Sequence, residues 1–134
     1  MKLRQFAKIL LAFCLLSLSA ADRKLQPAII KELVPISGPW EITLDFVEIR
    51  DCNCDAAFEI VNTNKKLRRF TLSEKTKILL LKNAGEYREV TVTDLAAARD
   101  GKDFGWRFDK DCPFEFRFDA KNKTVVEMRQ VYLP

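Results

Sequence analysis

The chain has 134 residues, 23 Lys and Arg against 19 Asp and Glu, 48% hydrophobic residues and no histidine. That length holds one domain. The missing imidazole removes the commonest general base, the commonest metal ligand and every nucleophile pair built on histidine, so the chain reads as non-enzymatic.

The opening "MKLRQFAKILLAFCLLSLSAAD" sets Lys2, Arg4 and Lys8 before an apolar run from Ile9 to Leu18, then Ser19, Ala20 and Ala21. This is the pattern of a secretory signal peptide, with cleavage expected after Ala21 and cleavage after Ala20 as the alternative. Phe13 precedes Cys14, where a lipid attachment site needs a small residue. The apolar run is about half the roughly 20 residues of a membrane-spanning helix, so a secreted or periplasmic protein, not inserted in the membrane after cleavage, is expected. The leader carries three basic and no acidic residues; without it 23 against 19 becomes 20 against 19. Near-neutrality argues against nucleic acid as a partner, because that binding rests on neutralising several phosphates.

Residues 22–134 read as a single all-β domain. The lead-in "DRKLQPAIIKELVPISGP" suggests one or two helical turns from Pro27 to Leu33, stopped by Pro35. From Trp40 the period becomes two: Trp40, Ile42, Leu44 and Phe46 alternate with polar residues, and Trp40 is expected to be mostly buried. The apolar parity then slips to Val47 and Ile49, as at a bulge. Strands are predicted over Ala57–Val61, Leu67–Leu72, Lys77–Leu81 and Tyr87–Val92, the last two joined by a turn at Asn83, Ala84 and Gly85. "TDLAAARDG" predicts a short helix near 94–100, capped by Thr93 or Asp94 and ended by Gly101.

The chain closes with "DFGWRFD", "PFEFRFD" and "VVEMRQVYL". Pairing Phe104 with Phe118, Trp106 with Phe116 and Phe108 with Phe114 gathers six aromatics on one face and sets Arg107 against Glu115. Pairing Phe118 with Val126 and Phe116 with Met128 sets Arg117 against Glu127 and Glu115 against Arg129. About eight short strands with short connections predict a small antiparallel meander closed or nearly closed into a barrel. Gly38 and Trp40 at the start of the first alternating strand resemble the Gly-x-Trp that opens lipocalin-like barrels, a likeness of fold only.

Once Cys14 leaves with the leader, Cys52, Cys54 and Cys112 remain. An oxidising compartment favours one disulfide and one cysteine left over. Cys112 shares the inward parity of Phe114 and Phe116, so a bond from Cys54 to Cys112 is expected, with Cys52 to Cys112 as the alternative. The leftover cysteine, Cys52 in the first case, is then free or available to link two chains. The same bond would gather Asp51, Asn53, Asp55, Asp109 and Asp111 at one end, an oxygen-rich set that suits calcium. The turn "NKKLRR" presents Lys65, Lys66, Arg68 and Arg69 as candidate binding residues, and Asn122 opens a glycosylation sequon. The leading expectation is a small binding module that recognises a protein partner in the manner of inhibitors, immunity factors or adaptors. A lipocalin-like carrier of a small apolar ligand is the alternative, and a carboxylate-based hydrolase the second alternative.

Overall fold

In the computed structural model, described for residues 24–52, 58–103 and 108–133, the lead-in is a strand. Strand β1 (Gln26–Pro35) replaces the expected helical turns, because it lies between two other strands and both its edges are hydrogen-bonded. Two ladders outweigh the weak local helix preference of "AIIKELV". Ala28 and Ile30 point into the core, and a bulge between Ile30 and Glu32 shifts the parity so that Leu33 also packs inward. The prolines sit where a missing N–H is tolerated, at the second and last residues of the strand.

Eight further strands follow among the described residues: β2 (Trp40–Phe46), β3 (Glu48–Asp51), β4 (Phe58–Val61), β5 (Leu67–Leu72), β6 (Lys77–Asn83), β7 (Glu86–Val90), β8 (Pro113–Asp119) and β9 (Thr124–Gln130). One helix, α1 (Val92–Arg99), lies between β7 and β8. Five strands close a ring in the order β5, β2, β1, β8, β9, with Thr71 of β5 meeting Thr124 of β9 to complete it. The expected small all-β barrel with one short helix is thus the observed fold. Its order is not up-and-down: β5 and β6 both run parallel to β9, on the same edge. Numbered among themselves, the ring strands close as 1-2-3-5-4-1 with the helix between third and fourth. Strands β3 and β4 form a separate two-stranded sheet.

The ring holds a packed interior. Ile42, Leu44, Leu72, Ile78, Leu80, Phe114, Phe116 and Met128 are fully buried. Trp40 packs against this cluster but is only half-buried, less than its place in the alternation predicts. It faces a groove beside the first turn of α1, which puts the helix at the Trp40 end of β2. There Leu95 and Ala98 seal the core and the Arg99 guanidinium donates to the Ile30 carbonyl at 3.2 Å, next to the β1 bulge. The helix starts at Thr91, earlier than expected, through a reciprocal capping box with Asp94. It ends as expected before Gly101, whose φ of 102° suits glycine. Gly85, at φ 81°, makes the predicted turn between β6 and β7.

The β8–β9 hairpin matches three of the four expected pairs. Phe116 lies opposite Met128, Arg117 opposite Glu127 and Glu115 opposite Arg129, with ion pairs of 3.3 and 2.7 Å on the outer face. Phe118 pairs with Val125 instead of Val126, because the register slips between Arg117 and Phe118. The other edge of β8 belongs to β1, so Phe116 faces Gln26 and Glu115 faces Pro27, which corrects the register expected with Trp106 and Arg107. Phe104, Trp106 and Arg107 lie outside the described residues. Phe108 does meet Phe114, edge to face at 6.3 Å, but from a loop.

Candidate functional site

At the end of β2 away from Trp40, the inward-facing positions carry aromatic rings. Phe46 continues the row of Ile42 and Leu44, Phe70 precedes Leu72 on the same face, and Phe118 continues the row of Phe114 and Phe116. Phe70 and Phe118 stack with centroids 4.2 Å apart and planes 17° apart, and Phe46 lies 6.1 and 5.7 Å from them. Phe118 also stacks on buried Phe116 at 5.8 Å, so the cluster stands on the core and its upper rings are half-buried.

Arg68 lies two residues before Phe70 and shares its inward face. Its guanidinium carbon sits 4.3 Å from the centroid of the Phe46 ring. Nη1 of this guanidinium is buried and has no hydrogen-bond acceptor among the described residues. Buried donors are nearly always paired in native proteins, so an open one needs a physical explanation.

A half-open groove of about 820 Å³ runs over these rings, with Lys66, Arg69 and Lys123 along it and Glu32 as the single acidic side chain among the described residues that line it. Leu67, 53% exposed, forms an apolar rim. A second depression of about 540 Å³ shares Phe46 and Arg68 as a wall and adds Lys24. Glu48 also lines it, hydrogen-bonded at 2.8 Å by Arg50, whose bond and charge hold that carboxyl below its ordinary range. The two depressions adjoin at Phe46 and Arg68, and the larger is a cationic, aromatic channel at the barrel mouth.

Of the four basic residues singled out in "NKKLRR", Lys66, Arg68 and Arg69 line the larger groove, and Lys65 is exposed outside both depressions. The turn that delivers them is fixed by Asn64, whose side-chain oxygen accepts from the Lys66 N–H at 3.1 Å. Phe46, Phe70, Phe118 and Lys123 join the site only through the fold. Next to them Asp45, on the outer face of β2, is buried and accepts from the Asn62 amide at 2.6 Å, while its Oδ1 has no partner among the described residues.

The cysteines depart from expectation. Cys112 is a free thiol, so neither Cys54 nor Cys52 is joined to it, and Cys52 is itself disulfide-bonded. The reason lies in placement: Cys112 packs against the core just before β8, with its N–H held by the Asp109 carbonyl at 3.0 Å. Cys52 follows β3, in the sheet outside the ring. The leftover cysteine is thus Cys112, and burial pushes its thiol pKa up. In the turn of Asp109 and Asp111 the Asp109 carboxylate accepts from the Asp111 N–H at 2.9 Å. Among the described residues no three cysteine or carboxylate side chains gather as metal ligands; Asn53, Cys54 and Asp55 lie outside them. Asn122 sits in the exposed β8–β9 turn, its amide donating to Asp119 at 2.9 Å.

Comparison with protein-family models, with curated proteins and with solved structures gives no match for this chain.

Proposed function

We propose that the protein is a secreted or periplasmic binding module that recognises a protein partner through the cationic, aromatic channel at the barrel mouth. The observation that carries this reading is the convergence of Arg68, Lys66, Arg69 and Lys123 on half-buried phenyl rings at one open end of an otherwise packed ring. Aromatic and Arg side chains are the types enriched where partners dock. The signal-peptide pattern of residues 1–21 supports the compartment.

The alternatives draw less support. A carrier of an apolar ligand needs an enclosed void of about 300 Å³ or more, whereas side chains fill the ring and the larger groove is open and cationic. A carboxylate hydrolase needs two acidic side chains flanking one cleft; among the described residues the larger groove is lined by one, Glu32, and Glu48 of the smaller depression is paired with Arg50. Affinity capture from the native compartment tests the proposal. A Lys66→Glu, Arg69→Glu double variant should lose the partner without a change in unfolding midpoint, while Lys65→Glu should retain it. Equal capture by all three proteins would remove the channel as the binding surface.

A further inference from the structure

We infer that Arg68 is the anchor of a carboxylate subsite, and that the partner offers an extended acidic segment in which Asp or Glu is flanked by an aromatic or aliphatic side chain. This rests on the channel being the partner-binding surface, and it names the chemistry that the channel would take.

Arg68 shares the inward side of β5 with Phe70, so its guanidinium lies over the Phe46 ring at the mouth. A ring face supports the cation without using its N–H groups, which leaves those groups available in the plane of the guanidinium. Nη1 is buried and unpaired among the described residues. A buried donor of this kind raises the free energy of the unbound protein; an arriving carboxylate meets the accessible part of the half-buried Arg68 side chain and relieves that cost once the guanidinium shifts on the Phe46 ring to bring Nη1 to it. The planar fork of Arg matches a carboxylate, two N–H groups to two oxygens, better than it matches a single carbonyl.

What surrounds the anchor decides the rest of the ligand. Exposed Leu67 and the half-buried Phe70 and Phe118 offer apolar walls beside the charge, so the group next to the carboxylate should be apolar. Lys66 and Lys123 along the groove favour further acidic residues on the same segment. A single-stranded nucleic acid also joins negative charge to flat rings, but its affinity comes from successive phosphates. A balance of 20 basic against 19 acidic residues outside the leader gives it little general attraction.

The probe is an acetylated, amidated pentapeptide of alternating glutamate and phenylalanine, titrated by calorimetry against the folded domain, with the same peptide carrying glutamine for glutamate as its control. Wild type should bind the glutamate peptide roughly tenfold or more tightly than the glutamine peptide, the loss of a charge-assisted pair. Arg68→Met, checked for folding by its thermal unfolding, should bind both peptides alike, and Arg68→Lys should keep part of the preference as a point charge. Absence of binding, equal binding of both peptides by wild type, or an unchanged preference in Arg68→Met would each overturn the anchor. Tighter binding of an oligothymidylate than of the glutamate peptide would overturn it in favour of nucleic acid. If the native partner is still captured by wild type and lost by the Lys66→Glu, Arg69→Glu variant while the peptide fails, the channel stands and only the anchor falls.

Discussion

The two ends of the barrel are built on opposite terms. At the Trp40 end, helix α1 covers the core, Thr91 and Asp94 satisfy each other's backbone, and Arg99 donates to Ile30. In the nearby turn from β5 to β6, the Thr76 hydroxyl donates to the Val125 carbonyl at 2.7 Å and accepts from the Ser73 N–H at 3.1 Å. At the Phe46 end, rings stand half-buried, four cations share a groove with one carboxylate, and Arg68 Nη1 lacks a partner among the described residues. Among the described residues, the buried side-chain atoms left without a partner, Arg68 Nη1 and Asp45 Oδ1, lie toward the second end. Local choices that do not serve the fold tend to collect where a protein meets something else.

That contrast can be broken by substitution, beginning with the largest effect. Leu95→Ala removes a fully buried side chain under the helix and should cost about 2–5 kcal/mol in urea unfolding. A loss near zero would mean that α1 does not seal the barrel. Thr76→Val leaves the Val125 carbonyl and the Ser73 N–H without their side-chain partner and should cost about 1–3 kcal/mol by the same measurement. Arg68→Met, at the other end, should stay within about 1 kcal/mol of wild type or exceed it, since it removes a buried open donor and a modest ring contact together. A loss as large as that of Leu95→Ala would make Arg68 structural and erase the contrast.

Two smaller effects sharpen it. Burial holds the Cys112 thiol proton in the folded chain to a higher pH than in the unfolded one. The stability this supplies is complete below the ordinary thiol pKa and is lost as pH rises through the folded value. Wild type should therefore lose more stability than Cys112→Ser between about pH 8 and about pH 10. Parallel pH profiles for the two proteins would show that the thiol is effectively solvated. Arg129→Ala breaks the 2.7 Å pair with Glu115 on the outer sheet face, and denaturant midpoints should register less than about 1 kcal/mol.

Much of the barrel was legible in the alternation of apolar and polar residues. Trp40 to Phe46 and Phe114 to Phe118 each carry an inward row that a strand period reveals, and the charges of β8 and β9 fix most of their register. Strand β1 was not, because "AIIKELV" between two prolines fits a helical turn as well as a bulged strand, and only the edges of β2 and β8 decide the matter. The ring order was hidden for a related reason: parallel pairing to β9 leaves no hairpin turn to read. The mouth was half legible. "LRRF" places Arg68 on the inward side with Phe70, a parity that marks a charge facing a core. That Phe46 and Phe118 would meet it there depends on strands distant in sequence.

Closure through the edge of β9 also governs how the chain comes to be folded. Thr71 must meet Thr124, and the Thr76 hydroxyl must find a carbonyl 49 residues away, before the ring is complete. Hairpins such as β6–β7 and β8–β9 need only local contacts and can form early, but sealing the ring requires the loop between β5 and β9 to be drawn shut. The ring also needs β1 on β8, with Gln26 opposite Phe116, so refolding should be slower than hairpin formation until both long-range contacts are made, which stopped-flow fluorescence would show. Until then the inward face of β5, with its arginine and phenylalanine, has no mouth to belong to.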